Sequence, residues 1–583
     1  MAQERQQDGR DRDEGSGRHA RRGKPAEPTP ARRSRSRLRT GRIIAAGLTL
    51  AAAVSLTAAY ALRPPAAGAG AVSLAGGLAS SAAVAPANSA PAKPPVQVCN
   101  NHAILYGPKI APAGAITVPA GDNENFNFDR KATFWLTSGT HTLGTGEFAQ
   151  IDPVSGSTYL GAPGAVLNGR HKNHYAFGGY ATNVTIKYLA IEYFGLNNAD
   201  NAQQGVVNHD SAPYWTIKYS SIAANAGAGV MIGSHNTLSW DCITQNAQYG
   251  FNAYSASGPV GITIGHSEIS HNDAFDYETR YPDCGCSGGA KFWAVDGAVI
   301  TSNYVHDNKS VGLWADTNNR GFQFEGNYIA NNESSGLMYE ISYNAIIKWN
   351  TFVGNGIAGG PKNPGFPTSA IYISESGSDP RVKSAYNTRF LIGANVFVNN
   401  WGGVILWENS NRFCGSPDNS SSSDCTLVNP SATTKTCSDH TLIKQRPYIS
   451  DCRWKVQNVV VTNNTFKFDP AAVGTACLRS PGTCGYNGLF SEYGSDPSWS
   501  PYMADLVPNN ITYHQRDHFA ANRYHGPWRF MIWEQGTAKN FTGWQASPYV
   551  EDTGSTMSST LSTRYSAVAA SRWTRENNCD GAR

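Results

Sequence analysis

Between Gly288 and Asn355, apolar and polar positions alternate in short runs, and the runs repeat. The stretch reads GGAKFWAVDGAVITSNYVHDNKSVGLWADTNNRGFQFEGNYIANNESSGLMYEISYNAIIKWNTFVGN. Each unit is an apolar strand ending in an acid or a Trp, a turn, a second strand, and then Asn-x-(Val/Ile/Phe)-x-x-Asn. The closing Asn falls at Asn308, Asn332 and Asn355, in steps of 24 and 23 residues. A period near 23 built from short β runs and Asn-rich turns predicts a parallel β-helix. Coils of such a solenoid stack about 4.8 Å apart. Residues one period apart therefore become neighbours, and single side chains can be assigned to faces.

The closing Asn can be followed outward through Asn225, Asn246 and Asn272 on one side and Asn400 on the other. The steps of 36 after Asn272 and 45 after Asn355 leave room for insertions, near 273–287 and near Gly359–Thr368. An earlier Asn recurs at Asn303, Asn327, Asn350, Asn395 and Asn464. Stacked Asn side chains at one turn can bond along the solenoid axis and satisfy backbone groups, a structural role. Phe134–Leu143 and Tyr159–Gly169 read as the first coils, residues 99–130 as an N-terminal cap, and Asn522–Phe530 as a last strand before a C-terminal cap. A long insertion at 410–455 carries Cys414, Cys425, Cys437 and Cys452 and is expected to staple itself.

Charge changes the picture at the N-terminus. Residues 1–42 carry 13 Lys and Arg against 6 Asp and Glu, a net of +7 in a chain of net +4. The remainder is close to −3, so the basic pI belongs to a disordered tail, and nucleic-acid binding through phosphates is not expected. Residues 43–62 are uncharged and weakly apolar. They read as a signal peptide cut near Ala61, or as an uncut membrane anchor with the basic end inside. The Ala/Pro/Gly run 63–98 is a disordered linker. One domain, 99–583, follows. The expectation is an exported monomer, extracellular or held at the cell surface if 43–62 is retained. In that setting the 11 Cys should mostly pair.

Eight residues past three of the closing Asn lie Asp316, Glu340 and Glu408. Trp293 aligns one coil below Asp316, and the coil after Glu340 brings Ser374 or Glu375 to the same place. Strand alternation puts Lys291 and Trp293, Trp314 and Asp316, Met338 and Glu340, Tyr372 and Ser374 or Glu375, and finally Glu408 on one outer face. Stacked like charges repel, so a fold gains nothing from such a column unless a cation or a reaction uses it. Trp beside carboxylates suits sugar, whose apolar faces lie on aromatic rings. The 273–287 insertion, with Asp273, Asp276, Glu278 and Asp283, would wall one side. His306, Asn318, Asn319 and Glu325 lie on turns or strands of the same coils. Against this stands a plainer account, in which outward acids only solubilise a solenoid, His306 is a turn histidine and the 273–283 acids are a solvated loop.

The segments TYLGAPGAVLNG (158–169), CGCSGGAKFW (284–293), NYVHDNKSVGLWADTNN (303–319) and GLMYEISYNA (336–345) resemble the pectin-lyase-like superfamily, and more narrowly secreted actinobacterial β-helix repeat proteins. The resemblance covers about residues 130–540. It implies an all-β, single-stranded right-handed parallel β-helix with caps, acting on polysaccharide. The superfamily hosts lyases, hydrolases, epimerases and binding modules, so fold alone leaves three expectations. One is a glycoside hydrolase using two of Asp316, Glu340, Glu375 and Glu408. Adjacent coils would hold carboxyls about 5 Å apart, and alternate coils about 9–10 Å. The second is a lyase or epimerase, with Lys291 or His306 as base and acids holding Ca2+ against a uronate carboxylate. No other cofactor is implied. The third is a non-catalytic glycan-binding solenoid resting on Trp293, Trp314 and Tyr372. A sugar-cleaving enzyme is favoured.

Overall fold

The computed structural model describes residues 94–146, 148–197, 205–254, 258–281, 285–363, 366–417, 425–533 and 538–559. The basic tail, the 43–62 segment, nearly all of the linker, Asp283, Cys284 and Cys579 lie outside the described residues. Within those residues no helix is long and apolar enough to cross a membrane.

Three long sheets, every strand parallel to its neighbours, wrap one interior. The first has 13 strands from Ile116–Val118 to His518–Ala520, and the second has 14 from Gly121–Asp122 to Thr556–Ser558. The third has 10, from Gly205–Val207 to Arg529–Trp533. Each strand pairs with the one a coil later, as the repeat predicts. Alternation along each strand turns every second side chain inward. One inward file on the first sheet runs Ile186, Ile217, Leu238, Ile264, Ile300, Phe324, Ile347, Ile392, Val461, Phe519, all buried. On the second sheet Phe352, Phe397, Phe466 and Tyr524 stack in sequence at 5.1, 4.4 and 4.9 Å.

The Asn turns behave as the spacing predicts. From Asn225 through Asn246, Asn272, Asn308, Asn332 and Asn355 to Asn400, each amide donates to the next carbonyl oxygen at 2.9–3.1 Å. Asn303, Asn327, Asn350, Asn395, Asn464 and Asn522 form a second ladder at 2.9–3.1 Å. Each Asn in both ladders is at most 1 % exposed, so every rung satisfies backbone groups that water cannot reach. The residue before the closing Asn is left-handed: Asp307, Asn331 and Asn399 have φ near 50°, and Gly354 has φ 66°. That conformation suits the Asp, Asn and Gly at these four turns, while Ala224, Gln245 and His271 adopt it at the earlier ones with φ 53–55°.

The first coil starts inside the segment expected to be cap. Strands Ile116–Val118 and Gly121–Asp122 are too short to show a period, and only the helix His102–Leu105 and its flanks lie outside the coils. Phe126 and Phe128 cover the open end against Phe134. The amides of Val98 and Cys99 donate to Glu268 at 2.7 and 2.9 Å, and Cys99 is disulfide-bonded to Cys242. At the other end the helix Phe541–Gln545 buries Trp544 against Phe530 and Phe519.

The 410–455 insertion is stapled by Cys414–Cys425 and Cys437–Cys452 and leans on the coils through Trp454, 5.1 Å from Tyr343. Cys477–Cys484 is a further disulfide, and Cys286 is disulfide-bonded too.

Candidate active site on the third sheet

Five consecutive third-sheet strands carry the outer face: Gly288–Trp293, Val311–Asp316, Leu337–Glu340, Ile371–Ser374 and Val404–Glu408. Their pairing fixes two outward columns. Lys291, Trp314, Met338, Tyr372 and Ile405 follow one another in the first. Trp293 pairs with Asp316 and Glu340 with Ser374, which pairs with Trp407. Ala315 pairs with Tyr339, so Asp316 and Glu340 stand side by side on adjacent coils in the second column.

These side chains are interlocked. The Lys291 ammonium lies 2.9 Å from the Asp316 carboxylate and 4.0 Å above the Trp314 ring, and donates to the Gly285 carbonyl. Thr317 donates to the other Asp316 oxygen at 2.8 Å. The Trp314 indole donates to Glu340 at 2.6 Å. Glu340 is 8 % exposed. Burial, and then the neighbouring Asp316 charge, push its carboxyl up to about 8, against the opposing pull of Arg412, the indole and Lys291. Glu340 therefore carries its proton at neutral pH, beside an acid that is ion-paired with lysine.

The 273–287 insertion walls this face. Tyr277 on its short helix Tyr277–Arg280 packs with Tyr249, and Gly285 lies against Trp314. Gly285 has φ 54°, and a Cβ there would meet the indole at 3.1 Å, so both backbone and space call for glycine. The loop acids serve the loop itself. Asp273 accepts the Tyr277 amide at 2.7 Å, and burial raises its carboxyl to about 7. Glu278 accepts the Cys286 amide and the Ser287 hydroxyl.

Several sequence expectations need correction. Ser374, not Glu375, continues the column; Glu375 is left-handed, wholly buried, and ion-paired with Arg412 at 3.1 Å. Glu408 is one position past the column, whose place is taken by Trp407. Leu337 is five positions past Asn332, but Val404, the strand position two coils further on in the same register, is only four past Asn400. Counting eight from Asn400 therefore overshoots, and a one-residue slip turns a side chain to the opposite face. Glu408 is buried with Arg453, Gln515 and the Val456 amide. Tyr372 points outward but is fully covered, with Phe366 of the loop before it 4.9 Å away. His306 is on the second sheet, between Glu268 at 3.1 Å and Asp307 at 2.6 Å. Glu325 is on the first sheet, 3.2 Å from Lys348. Asn318 and Asn319 form the turn after Asp316, and Asn319 accepts the Val295 amide and donates to the carbonyls of Phe292 and Asp316. Asn319 thereby holds the strand end that presents Asp316.

Sequence reasoning missed Trp407 and Arg412. The alternation in Val-Ile-Leu-Trp-Glu could have marked Trp407 once the shorter turn was noticed. Arg412 lies in an insertion with no period. The Trp407 indole N–H is buried and meets no acceptor among the described residues. A shallow apolar depression beside it is lined by Phe366, Trp401, Ile405, Tyr486 and Met531, away from the carboxylates.

The calcium expectation fits poorly. Among the described residues no three His, Cys, Asp or Glu side chains are grouped to hold a metal ion. Asp273 and Glu278 are bonded within their loop, and Asp316 is bonded to Lys291.

Comparison with known proteins matches the family described as "Right handed beta helix region" to residues 205–385. The strands from Gly288–Trp293 to Ile371–Ser374 lie inside that match, and Val404–Glu408 lies beyond it. The fold is a right-handed parallel β-helix. No curated protein matches the chain in sequence. Solved structures similar to it include the Azotobacter vinelandii mannuronan C-5 epimerase AlgE6 A-module, at 10 % identity and TM-score 0.34, over 74 % of this chain and 92 % of that one. The catalytic domain of a GH87 α-1,3-glucanase is similar at 10 % identity and TM-score 0.37, over 78 % and 70 %. Pectate lyase Pel9A is similar at 13 % and 0.24, over 49 % and 63 %. Likeness this distant carries nothing about activity.

Proposed function

We propose that this β-helix is an exported glycoside hydrolase, with Glu340 as the acid and Asp316 as its partner carboxylate. One observation carries the reading: on the outer face a buried Glu340, its carboxyl pushed up to about 8, stands one coil past an ion-paired Asp316, with Trp293 and Trp314 on its N-terminal side. Two neighbouring carboxyls in unlike surroundings, one buried and one ion-paired with lysine, are what acid–base cleavage of a glycosidic bond needs. Adjacent coils hold them about 5 Å apart, the spacing of retaining enzymes. Glu340 gives its proton to the glycosidic oxygen as the C–O bond breaks, and Asp316 adds to the anomeric carbon. Water, losing a proton to the Glu340 carboxylate, then displaces Asp316 and restores both groups. Lys291 neutralises the carboxylate between turnovers.

Lys291 as a lyase base is less well supported. Its amine is already engaged by the Asp316 carboxylate, the Gly285 carbonyl and the Trp314 ring. The disulfides suit the extracellular setting of such an enzyme.

The test is a panel of laminarin, α-1,3-glucan, xylan, mannan, polygalacturonate and alginate, each with and without EDTA. New reducing ends, unaffected by EDTA and lost in Asp316→Asn and Glu340→Gln, are expected. Unsaturated uronate absorbing near 235 nm would instead establish elimination. Binding with no product would make the protein a glycan-binding solenoid.

A further inference from the structure

From Tyr254 to Ser374, exposure along the Asp316 column falls in one direction. In the Asp316 column, Tyr254 at the N-terminal end is 44 % exposed and meets Trp293 edge-on at 6.2 Å. Trp293 is half-buried, the Asp316 side chain is 14 % exposed, and Glu340 falls to 8 %. Ser374, one coil further, is wholly covered. The companion column is covered at both ends, by Asn252 at 5 % exposure on one side and by Met338 and Tyr372 on the other, with Lys291 and Trp314 half-buried between them. Two insertions make the closure. Phe366 lies on Tyr372, and Arg412 comes in from the 410–455 segment to pair with Glu375 beside Ser374. Trp407 emerges half-buried on the far side, but a polymer could reach it from Glu340 only by crossing Ser374.

We infer that the site is blind-ended and acts on the ends of glycan chains, with the chain lying N-terminally over Trp293 and Tyr254 and its terminal sugars at Glu340. This rests on the hydrolase reading and adds the mode of attack. An enzyme that cuts internally needs open face on both sides of its acids for several sugars. Here the Asp316 column is open on one side over the coils of Trp293 and Tyr254 and shut on the other within one coil.

The experiment uses whichever panel polymer yields reducing ends. Viscosity and reducing ends are followed together, and products are sized by chromatography through the time course. Chain-end action releases one short product from the first minutes, with little loss of viscosity. Tyr254→Ala, at an exposed position, should raise KM about threefold to tenfold for the tetrasaccharide of that polymer and less than twofold for the disaccharide, as expected for one lost ring contact. An early collapse of viscosity with a ladder of oligosaccharides overturns the inference while leaving hydrolysis intact. An equal KM change on both lengths overturns the direction of the chain. If no polymer is cut, the hydrolase reading falls and this inference falls with it.

Discussion

Glu340→Gln separates a protonated acid from an ordinary surface carboxylate by stability as well as by activity. In the unfolded chain Glu340 titrates near its usual 4.5; in the fold its proton is held up to about 8. At pH 7 the unfolded chain is ionised and the fold is protonated. Stability is then lost progressively as pH rises from 4.5 towards 8, and no further loss occurs above that. At about 1.4 kcal/mol per pH unit, the interval from 4.5 to 7 corresponds to about 3 kcal/mol. Gln never ionises, has nearly the same shape, and keeps a carbonyl oxygen to accept the Trp314 indole. Its amide N–H groups must find new acceptors, so the net gain expected at pH 7 is about 1–3 kcal/mol. Thermal unfolding of both proteins between pH 4 and 9 reads this directly. The variant should melt at or slightly below the parent at pH 4, where only the amide cost remains, and a few degrees above it at pH 8, while hydrolysis is lost. A constant offset at every pH, or a lower melting point at pH 8, would mean that Glu340 is ionised in the fold, and the acid role would be refuted.

Two further variants test the assignments around the site. Glu408→Gln should leave kcat within twofold of the parent but lower the melting point, because Arg453 would be left buried without its counter-ion, a loss of about 3 kcal/mol; loss of turnover in well-folded protein would return Glu408 to the chemistry. Asn332→Ala should destabilise by about 2–3 kcal/mol, because the backbone and side-chain N–H groups of Asn308 lose their acceptor in a site closed to water. An unchanged denaturant midpoint would show that the ladder is replaceable.

What could be read from the sequence was whatever repeats. The Asn ladders, the stacking of parallel coils and the place of Trp293 under Asp316 all follow from a period near 23 and a side-chain alternation of two, and the structure has them. What failed lies where the period is interrupted. His306 and Glu325 share coils with Asp316, yet a coil has three sheets, and sharing a coil does not mean sharing a face. Tyr372 points outward as expected, but an insertion with no period of its own covers it. The pairing of Glu375 with Arg412 depends on where the 410–455 loop folds back, which local pattern does not encode.

Glu408 shows how narrow the margin is. Asp316, Glu340 and Glu408 are equally spaced from their closing Asn, and on sequence they are one set. The turn after Asn400 is one residue shorter, and that residue decides whether the carboxylate faces outward with Glu340 or sits buried against Arg453. The same slip puts Trp407, rather than an acid, in the column beyond Ser374. The carboxylates on the face are thereby reduced to one adjacent pair. A column of three evenly spaced acids would leave the partner of Glu340 undetermined. With Glu408 turned away and Glu375 tied to Arg412, Asp316 is the carboxylate left beside Glu340 on this face, and their separation is set by the distance between coils, which the Asn ladders hold fixed.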